Sequence, residues 1–273
     1  MTTTPTSASP PRPLTPPGRR RRGPLGRFML VIVLLAVAAG AAYLVVKASE
    51  PPAADSAGDG IEIPDLKVLP GTALAQGRPL PTEPDVVAWA KRASEVTDIP
   101  ARTLVAYVNA DLLTQRRDPD CKITWATLAG VGRVESHHGH FRGARVGEDG
   151  KLTKPIIGIP LDGSPGVRAI RDTDRGELDG DTQWDRAVGA MQFLPSTWTR
   201  WAARAGEDNT APDPQDMDDA ALTAARYLCA SGGDLSTGDG WWKAVLTYNN
   251  SVEYGRDVYS GADAYARKVA ELG

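Results

Sequence analysis

The sequence predicts a mainly α-helical domain with one long irregular insertion, preceded by a single transmembrane helix and a disordered linker. Three observations lead to this prediction. Residues 28–46 form a run of 19 residues without a charge. Fourteen of the 22 prolines precede residue 85, whereas all seven tryptophans follow it. Helix caps and apolar residues at helical spacing recur from residue 82 to the C-terminus.

The charges divide the chain of 273 residues into two parts. Residues 1–47 carry seven basic residues and no acidic one, while the remainder carries 24 basic and 34 acidic residues. The net charge of −3 therefore averages a basic segment with an acidic body. Because nucleic-acid binding needs clustered Lys and Arg, an acidic body argues against nucleic acid as a partner.

Residues 1–27 are typical of a disordered cytoplasmic tail, and residues 28–46 of a transmembrane signal-anchor helix. A helix of that length spans about 28 Å, close to the hydrocarbon thickness of a bilayer. Residues 19–22 are all arginine, and only Lys47 follows the segment, which predicts a cytoplasmic N-terminus, a single pass of the cytoplasmic membrane and an extracytoplasmic body. The alternative is a secreted protein cleaved near Ala48, although signal peptides usually have apolar runs of about 7–15 residues.

Residues 47–82 are expected to form an extended linker rich in Pro, Ala and Gly, and residues 83–273 a single folded domain. Helices are expected at residues 82–96, 100–113 and 124–137. A Gly- and Asp-rich insertion follows at residues 140–187, with one strand-like fragment at 156–159. Further helices are expected to begin near Ser196, Asp218, Trp241 and Gly261.

Cys121 and Cys229 are the only cysteines in the chain. Outside the cytoplasm a disulfide between them is the natural expectation, since that compartment is oxidising. A thiol nucleophile is the alternative, but neither cysteine lies in a motif that would activate one. The pair is therefore expected to be structural.

Glu135 is a charged residue at a position where its helix should be apolar. It falls between Leu128 and Val131 in the apolar arc of residues 124–137. Burial and the negative end of the helix dipole both disfavour a carboxylate there, so the pKa of Glu135 is expected to be raised. A carboxyl group protonated near neutral pH suits general-acid cleavage of a glycosidic bond. Alternatively, Glu135 reaches solvent or pairs with Arg133 or Arg142.

Three sequence motifs then occur in order. Residues 130–139 read GVGRVESHHG, residues 189–198 read GAMQFLPSTW, and Tyr248-Asn249 lies near the C-terminus. The first resembles the ES-x-H-G signature of lytic transglycosylases, lysozyme-like enzymes that cut peptidoglycan. The second resembles the G-x-M-Q-F-x-P-S-x-W block of that superfamily, and the third its aromatic-Tyr-Asn motif. The chain is most similar to the membrane-bound lytic murein transglycosylase B-like group in its actinobacterial form, which implies a lysozyme-like fold.

The resemblance implies a role for each matched residue. Glu135 matches the single catalytic acid/base, and Ser136 the adjacent serine that hydrogen-bonds near the scissile sugar. Gln192, Tyr248 and Asn249 match groups that bind substrate along the glycan groove. The implied reaction needs no cofactor: peptidoglycan glycan strands are cleaved at the MurNAc-(β1,4)-GlcNAc bond, leaving a 1,6-anhydroMurNAc end.

Other functions remain open from the residues alone. A muramidase acting by hydrolysis would use a second carboxylate, which the Asp-rich stretch at 172–185 can supply in principle. A peptidoglycan-binding module without catalysis is a further alternative, against which the presence of Glu135 argues. The cluster of His137, His138 and His140 suggests a zinc peptidase, but the H-E-x-x-H spacing is lacking. The ES-x-H-G motif accounts for His138, and the other two histidines are expected to face solvent.

A calcium site is the last candidate. Asp172, Asp174, Asp179 and Asp181 cluster in the insertion, and calcium prefers carboxylate oxygens. The EF-hand spacing is not met, because the twelfth position is Gln183. A solvated loop with Asx turns is the simpler interpretation.

Overall fold

The computed structural model describes residues 61–75 and 85–272. Within them the chain forms seven α-helices and a set of isolated β-bridges, so the predicted mainly α class is confirmed. The helices are α1 (Val86–Val96), α2 (Ala101–Arg117), α3 (Trp125–Ser136), α4 (Pro195–Trp201), α5 (Met217–Gly232), α6 (Gly238–Tyr248) and α7 (Val252–Ala270). They belong to one compact unit, Asp59–Gly273.

Helix α3 lies at the centre of this unit, with most of its residues buried. It packs most extensively against α7, and a Cβ at Gly130 would lie 2.4 Å from the carbonyl oxygen of Val258. Toward α2, a Cβ at Gly132 would lie 1.9 Å from the Tyr107 hydroxyl. Glycine at these two positions therefore allows α3 to approach both neighbours closely, and the last turn of α3, which carries Glu135, is brought against α7.

Two side chains define where α3 begins. The Thr124 hydroxyl accepts a hydrogen bond from the backbone N–H of Thr127 at 3.3 Å, as an N-cap residue does. The carboxylate of Asp111 on α2 accepts from the Trp125 N–H at 2.7 Å. Both contacts satisfy backbone donors that the first turn of a helix leaves free.

The insertion between α3 and α4 is held by short bridges. The fragment predicted to be strand-like contributes one of them, between Ile157 and Val188. Asp185 is fully buried, and its carboxylate accepts hydrogen bonds from the backbone N–H and hydroxyl of Thr173. The backbone of Asp185 also pairs with Leu161 and Ile170. A buried polar residue thus links three parts of the insertion, through Leu161, Ile170 and Thr173.

The last helix begins earlier than the sequence predicts. Its expected start at Gly261 is wrong, because α7 begins at Val252. The Ser251 hydroxyl accepts from the Tyr254 N–H at 3.2 Å, and Glu253 lies in the first turn. These are N-terminal signals of a helix, and the small Gly255 beside them obscures the helical pattern.

Residues 61–75, which the composition places in the linker, lie against the folded domain as an extended segment, here called the strap. Its carbonyl groups accept hydrogen bonds from α6 and α7: Val68 from Arg256, Thr72 from Trp242 and Ala73 from Tyr259, at 3.0 to 3.1 Å. Its N–H at residue 66 donates to a serine hydroxyl of α7 at 3.0 Å. The strap is therefore part of the packed structure.

No helix within residues 61–75 and 85–272 is long and apolar enough to cross a bilayer. The predicted tail at 1–27, the transmembrane segment at 28–46 and the predicted helix start at 82–84 lie outside the described residues. The same holds for residues 47–60 and 76–81 of the predicted linker.

The expected disulfide is confirmed: Cys121 and Cys229 are bonded, with their Cα atoms 5.3 Å apart. The bond joins the loop before α3 to the end of α5 across 108 residues of sequence. An ion pair of 2.6 Å between Lys122 and Asp234 lies beside it.

Replacing both cysteines, as C121S/C229S, should lower the free energy of unfolding by about 4 kcal/mol, because the bond restricts a long loop of the unfolded chain. Urea denaturation of the oxidised wild type and the double variant measures this loss. Wild type treated with reductant is the matched control and should lose the same amount. Equal stability of all three samples would contradict a stabilising role for the bond.

Candidate active site

Glu135 lies in the last turn of α3, half-buried, at the wall of an open cleft. Its Oε1 accepts a hydrogen bond of 2.6 Å from the hydroxyl of Tyr254, a buried residue of α7. The ion pairs among the described residues do not include Glu135, so the alternative of a pair with Arg133 or Arg142 is not found. Its polar partner is a phenol.

Burial raises the pKa of Glu135 from 4.5 to about 7, and the hydrogen bond from Tyr254 opposes part of this rise. The direction is the one expected from the apolar arc of α3. Near neutral pH such a carboxyl group populates both protonation states. It can therefore donate a proton in one step of a reaction and accept one in the next.

The loop that contains Gln192 closes through two backbone hydrogen bonds between Val188 and Phe193, of 2.8 and 3.0 Å. Gly189 has a φ of +78°, and a Cβ there would lie 1.9 Å from the carbonyl oxygen of Pro214, so glycine is required. Gln192 has a φ of 46°, and its Nε2 donates to the carbonyl of Gly189 at 2.9 Å. This tight loop presents the Gln192 side chain to the cleft.

Two hydroxyl groups from neighbouring helices hold the same loop. The Ser136 hydroxyl donates to the carbonyl of Ala190 at 2.5 Å, and the Tyr248 hydroxyl to the carbonyl of Met191 at 2.7 Å. The Ser136 oxygen also accepts from the Gly139 N–H at 2.8 Å. Because Ser136 is only 2% exposed, its hydroxyl is not presented to the cleft. We therefore assign it a positioning role, rather than the sugar contact that the resemblance implies.

The cleft encloses about 930 Å³ and brings together Glu135, Gln192, Tyr248 and Asn249. These four residues come from α3, from the loop before α4 and from the end of α6, so widely separated parts of the sequence meet here. Asn249 is exposed and its amide is free to hydrogen-bond a ligand. Of the five residues to which the resemblance assigns a role in the site, Ser136 alone does not line the cleft.

Aromatic side chains form one wall of the cleft. The rings of Phe193, Tyr248 and Tyr227 follow one another with centroid distances of 5.6 Å, and Trp201 continues the row at 5.8 Å from Tyr227. Tyr248 and Tyr227 are half-buried, so each shows part of its ring to solvent. Flat aromatic surfaces beside amide groups suit a ligand with both apolar faces and hydrogen-bonding edges.

His138 secures the turn that follows α3. It is buried, and burial lowers its pKa to about 3, so the ring is neutral. The Tyr265 hydroxyl donates to Asp98 at 2.8 Å, which leaves its oxygen to accept from the His138 Nε2–H at 3.0 Å. The Tyr107 hydroxyl then donates to Nδ1 at 3.2 Å. This network holds a backbone with φ of 49°, 62° and 85° at residues 137–139.

The structure leaves His138 unavailable as a ligand of the zinc site that the histidine cluster suggests. Both ring nitrogens of His138 are engaged by tyrosine hydroxyls, whereas His137 and His140 are exposed. The exposure of these two histidines agrees with the expectation from the sequence. The three side chains therefore do not converge on one point.

The four aspartates predicted as a calcium site do not lie together in the structure. Among the described residues, the carboxylates of Asp172, Asp174 and Asp185 lie close enough to share an ion, with oxygens within 4.8 Å of one another. Asp181 instead pairs with Arg186 at 2.9 Å, and Asp179 accepts from backbone N–H groups. The predicted set of four aspartates is thus replaced by a set of three, in which Asx-type hydrogen bonds dominate.

Tyr254 and Tyr227 are residues of the site that none of the three sequence motifs contains. The expected start of the last helix at Gly261 leaves Tyr254 outside any predicted helix, whereas α7 begins nine residues earlier, at Val252. The N-cap signal at Ser251 would have placed it in the first turn of a helix. Tyr227 carries no motif, and only the packing of α5 against α6 brings it to the cleft.

The protein-family models, the curated proteins and the solved structures that were searched contain no match to this chain. The geometry of the cleft and the sequence motifs therefore carry the functional argument. The cleft offers one titratable carboxyl group, an aromatic wall and several amides.

Replacing Glu135 by Gln should stabilise the protein at alkaline pH. The folded-state pKa lies above the unfolded one, so the carboxyl group is accommodated without penalty below about pH 4.5 and lowers stability as the pH rises through about 7. Since glutamine does not ionise, we expect equal stabilities at pH 4 and a gain of about 2 kcal/mol for E135Q at pH 8, discounted for partial exposure. Urea denaturation at both pH values measures the difference, and a constant difference would contradict the burial argument.

Replacing Tyr254 by Phe should raise the pKa of Glu135 further, because the removed hydrogen bond favours the ionised form. A ¹³C NMR titration of labelled glutamate, assigned by comparison with E135Q, measures the shift. The matched control is Y259F in the same helix, whose hydroxyl bonds the strap at Ala73. It should leave the titration of Glu135 where it is, and an unmoved pKa in Y254F would contradict the assigned contact.

Proposed function

We propose that this protein is a lytic transglycosylase that cleaves the MurNAc-(β1,4)-GlcNAc bond of peptidoglycan strands, with Glu135 as its single general acid/base. The observation that carries the proposal is a half-buried carboxyl group with a pKa of about 7, at the wall of an open cleft. The three motifs that resemble this enzyme family supply four of the residues that line that cleft: Glu135, Gln192, Tyr248 and Asn249. Mainly helical structure is also compatible with the lysozyme-like fold that the resemblance implies.

The chemistry proceeds in two proton transfers. Tyr254 donates a hydrogen bond to Oε1 of Glu135 and keeps its proton, so Oε2 carries the acidic proton. This proton goes to the oxygen that leaves C1 of N-acetylmuramic acid, and the glycosidic bond breaks. The resulting carboxylate then takes the proton of the C6 hydroxyl while that oxygen bonds to C1. The products are a GlcNAc end and a 1,6-anhydro ring, and Glu135 returns to its acid form.

The count of carboxylates favours this reaction over hydrolysis. Most glycosidases place a second carboxylate about 5–9 Å from the first, as a nucleophile or to activate water. Among the described residues that line the cleft, Glu135 is the sole carboxylate. The aspartates of the insertion, which were the candidates for a second one, are bound within their own loop. Internal attack by the C6 hydroxyl needs no second carboxylate.

The walls of the cleft suit an amino-sugar polymer. Tyr227 and Tyr248 offer ring faces to the apolar faces of sugars, and the amides of Gln192 and Asn249 can hydrogen-bond hydroxyl and N-acetyl groups. The cleft is open to solvent, as access of a polymer requires.

We place this activity outside the cytoplasmic membrane, with the chain anchored by residues 28–46. The disulfide supports an oxidising compartment. The arginines at 19–22 support an orientation with the N-terminus in the cytoplasm.

Mass spectrometry of the products tests the reaction. Peptidoglycan digested with the full chain should yield fragments that are one water lighter than hydrolysis products. The activity of E135Q should be at least about 100-fold lower than that of the wild type, because a glutamine side chain can neither donate nor accept the proton. The matched control E148Q removes an exposed glutamate of the insertion and should remain active.

Two outcomes would overturn the proposal in different ways. Full-mass reducing ends would indicate a muramidase. Binding of glycan without any cleavage, equal in wild type and E135Q, would indicate a peptidoglycan-binding module.

A further inference from the structure

The cleft has one basic side chain, which is exposed and has no partner within residues 61–75 and 85–272. Of the described residues that line the cleft, Arg168 is the only basic one, and Glu135 the only acidic one. Arg168 forms no ion pair or side-chain hydrogen bond with the described residues. Two other arginines of the insertion are engaged: Arg186 pairs with Asp181 at 2.9 Å, and Arg171 stacks on Trp184 at 3.9 Å.

The backbone fixes the direction in which Arg168 points. Residues 161–170 form a hairpin in which Asp162 bridges Ala169, and the Ile170 N–H donates to the Leu161 carbonyl at 2.8 Å. Side chains two residues apart on an extended strand lie on one face. Arg168 and Ile170 therefore share the face toward the cleft, where both contribute to its lining.

The base of this hairpin is rigid. Asp185 is fully buried, its carboxylate is bonded to Thr173, and its backbone pairs with both Leu161 and Ile170. The nearest acidic side chain in the hairpin, Asp162, accepts from the Ser164 N–H at 2.9 Å. The supported backbone thus places the exposed side chain of Arg168 at the cleft, where its guanidinium has no partner among the described residues.

The positive charge of Arg168 is important because the domain that surrounds the cleft is acidic. The residues after 47 carry ten more acidic than basic residues, so the body as a whole repels an anionic polymer. An arginine presents donors in a planar fork that matches a carboxylate. With Glu135 protonated, Arg168 gives the cleft a positive charge inside an acidic domain.

We infer that Arg168 binds a carboxylate of the substrate, so that the enzyme selects anionic glycan over neutral glycan. The inference rests on the proposed function, since it concerns the substrate of the same cleft. In peptidoglycan, carboxylates occur on the 3-O-lactyl group of muramic acid, where the peptide has been removed, and on the peptide stems. Both sources present the same chemistry to the guanidinium.

Binding measured in the inactive E135Q background tests this inference without turnover. Isothermal titration calorimetry of the full chain compares four ligands. They are a neutral N-acetylglucosamine tetrasaccharide, a peptide-free murein tetrasaccharide with free lactyl carboxylates, the same molecule with those groups as methylamides, and a murein tetrasaccharide with peptide stems. A charge-assisted pair predicts about tenfold tighter binding of the carboxylate ligand than of its methylamide.

Adding R168Q should abolish that preference and leave the affinity for the neutral tetrasaccharide unchanged. The matched control R117Q removes an exposed arginine at the end of α2, outside the cleft, and should keep the preference. If the preference for carboxylate appears only with peptide stems and is lost in R168Q, the bound group is a stem carboxylate and the inference stands.

Equal binding of all four ligands by E135Q and E135Q/R168Q would overturn the inference. That result is distinct from failure of the proposed function, which the products of the active protein decide. A chain that yields anhydro products but ignores the carboxylate is a transglycosylase without this selectivity. A chain that prefers the carboxylate but yields no products retains the Arg168 site and loses the enzymatic proposal.

Discussion

Helices α3 and α7 come together because residue 130 has no side chain, and the rest of the site depends on that contact. With a Cβ, this position would meet the carbonyl of Val258 at 2.4 Å. The close approach partly buries the last turn of α3 and brings the phenol of Tyr254 to Glu135. The same packing thus supplies both effects on the carboxyl group, the burial that raises its pKa and the hydrogen bond that limits the rise.

Hydrogen bonds join the three sequence motifs to one another. The loop of the second motif is held by a hydroxyl of the first, from Ser136, and by a hydroxyl of the third, from Tyr248. Each hydroxyl donates to one of two successive carbonyl groups, so the loop has little freedom to rotate. The positions of Gln192 and Glu135 are consequently coupled, although one lies on a loop and the other on a helix.

Helical periodicity predicts the features that depend on one element, and it does not predict those that depend on several. The burial of Glu135 follows from the 100° spacing of α3, and the cysteine pair from the compartment. The role of Ser136 does not follow, because a buried hydroxyl and an exposed one look alike in sequence. Tyr254 required the correct start of α7, and Arg168 required the fold of a hairpin whose base pairs with a buried polar residue, Asp185.

The strap changes the distance at which the domain can work. If it were free, the 36 residues at 47–82 would span up to about 125 Å when extended. Because residues 61–75 are bound along α6 and α7, only the 14 residues at 47–60 separate the strap from the proposed anchor. Fourteen residues reach at most about 50 Å, so the proposed anchor would keep the start of the strap within that distance of the membrane.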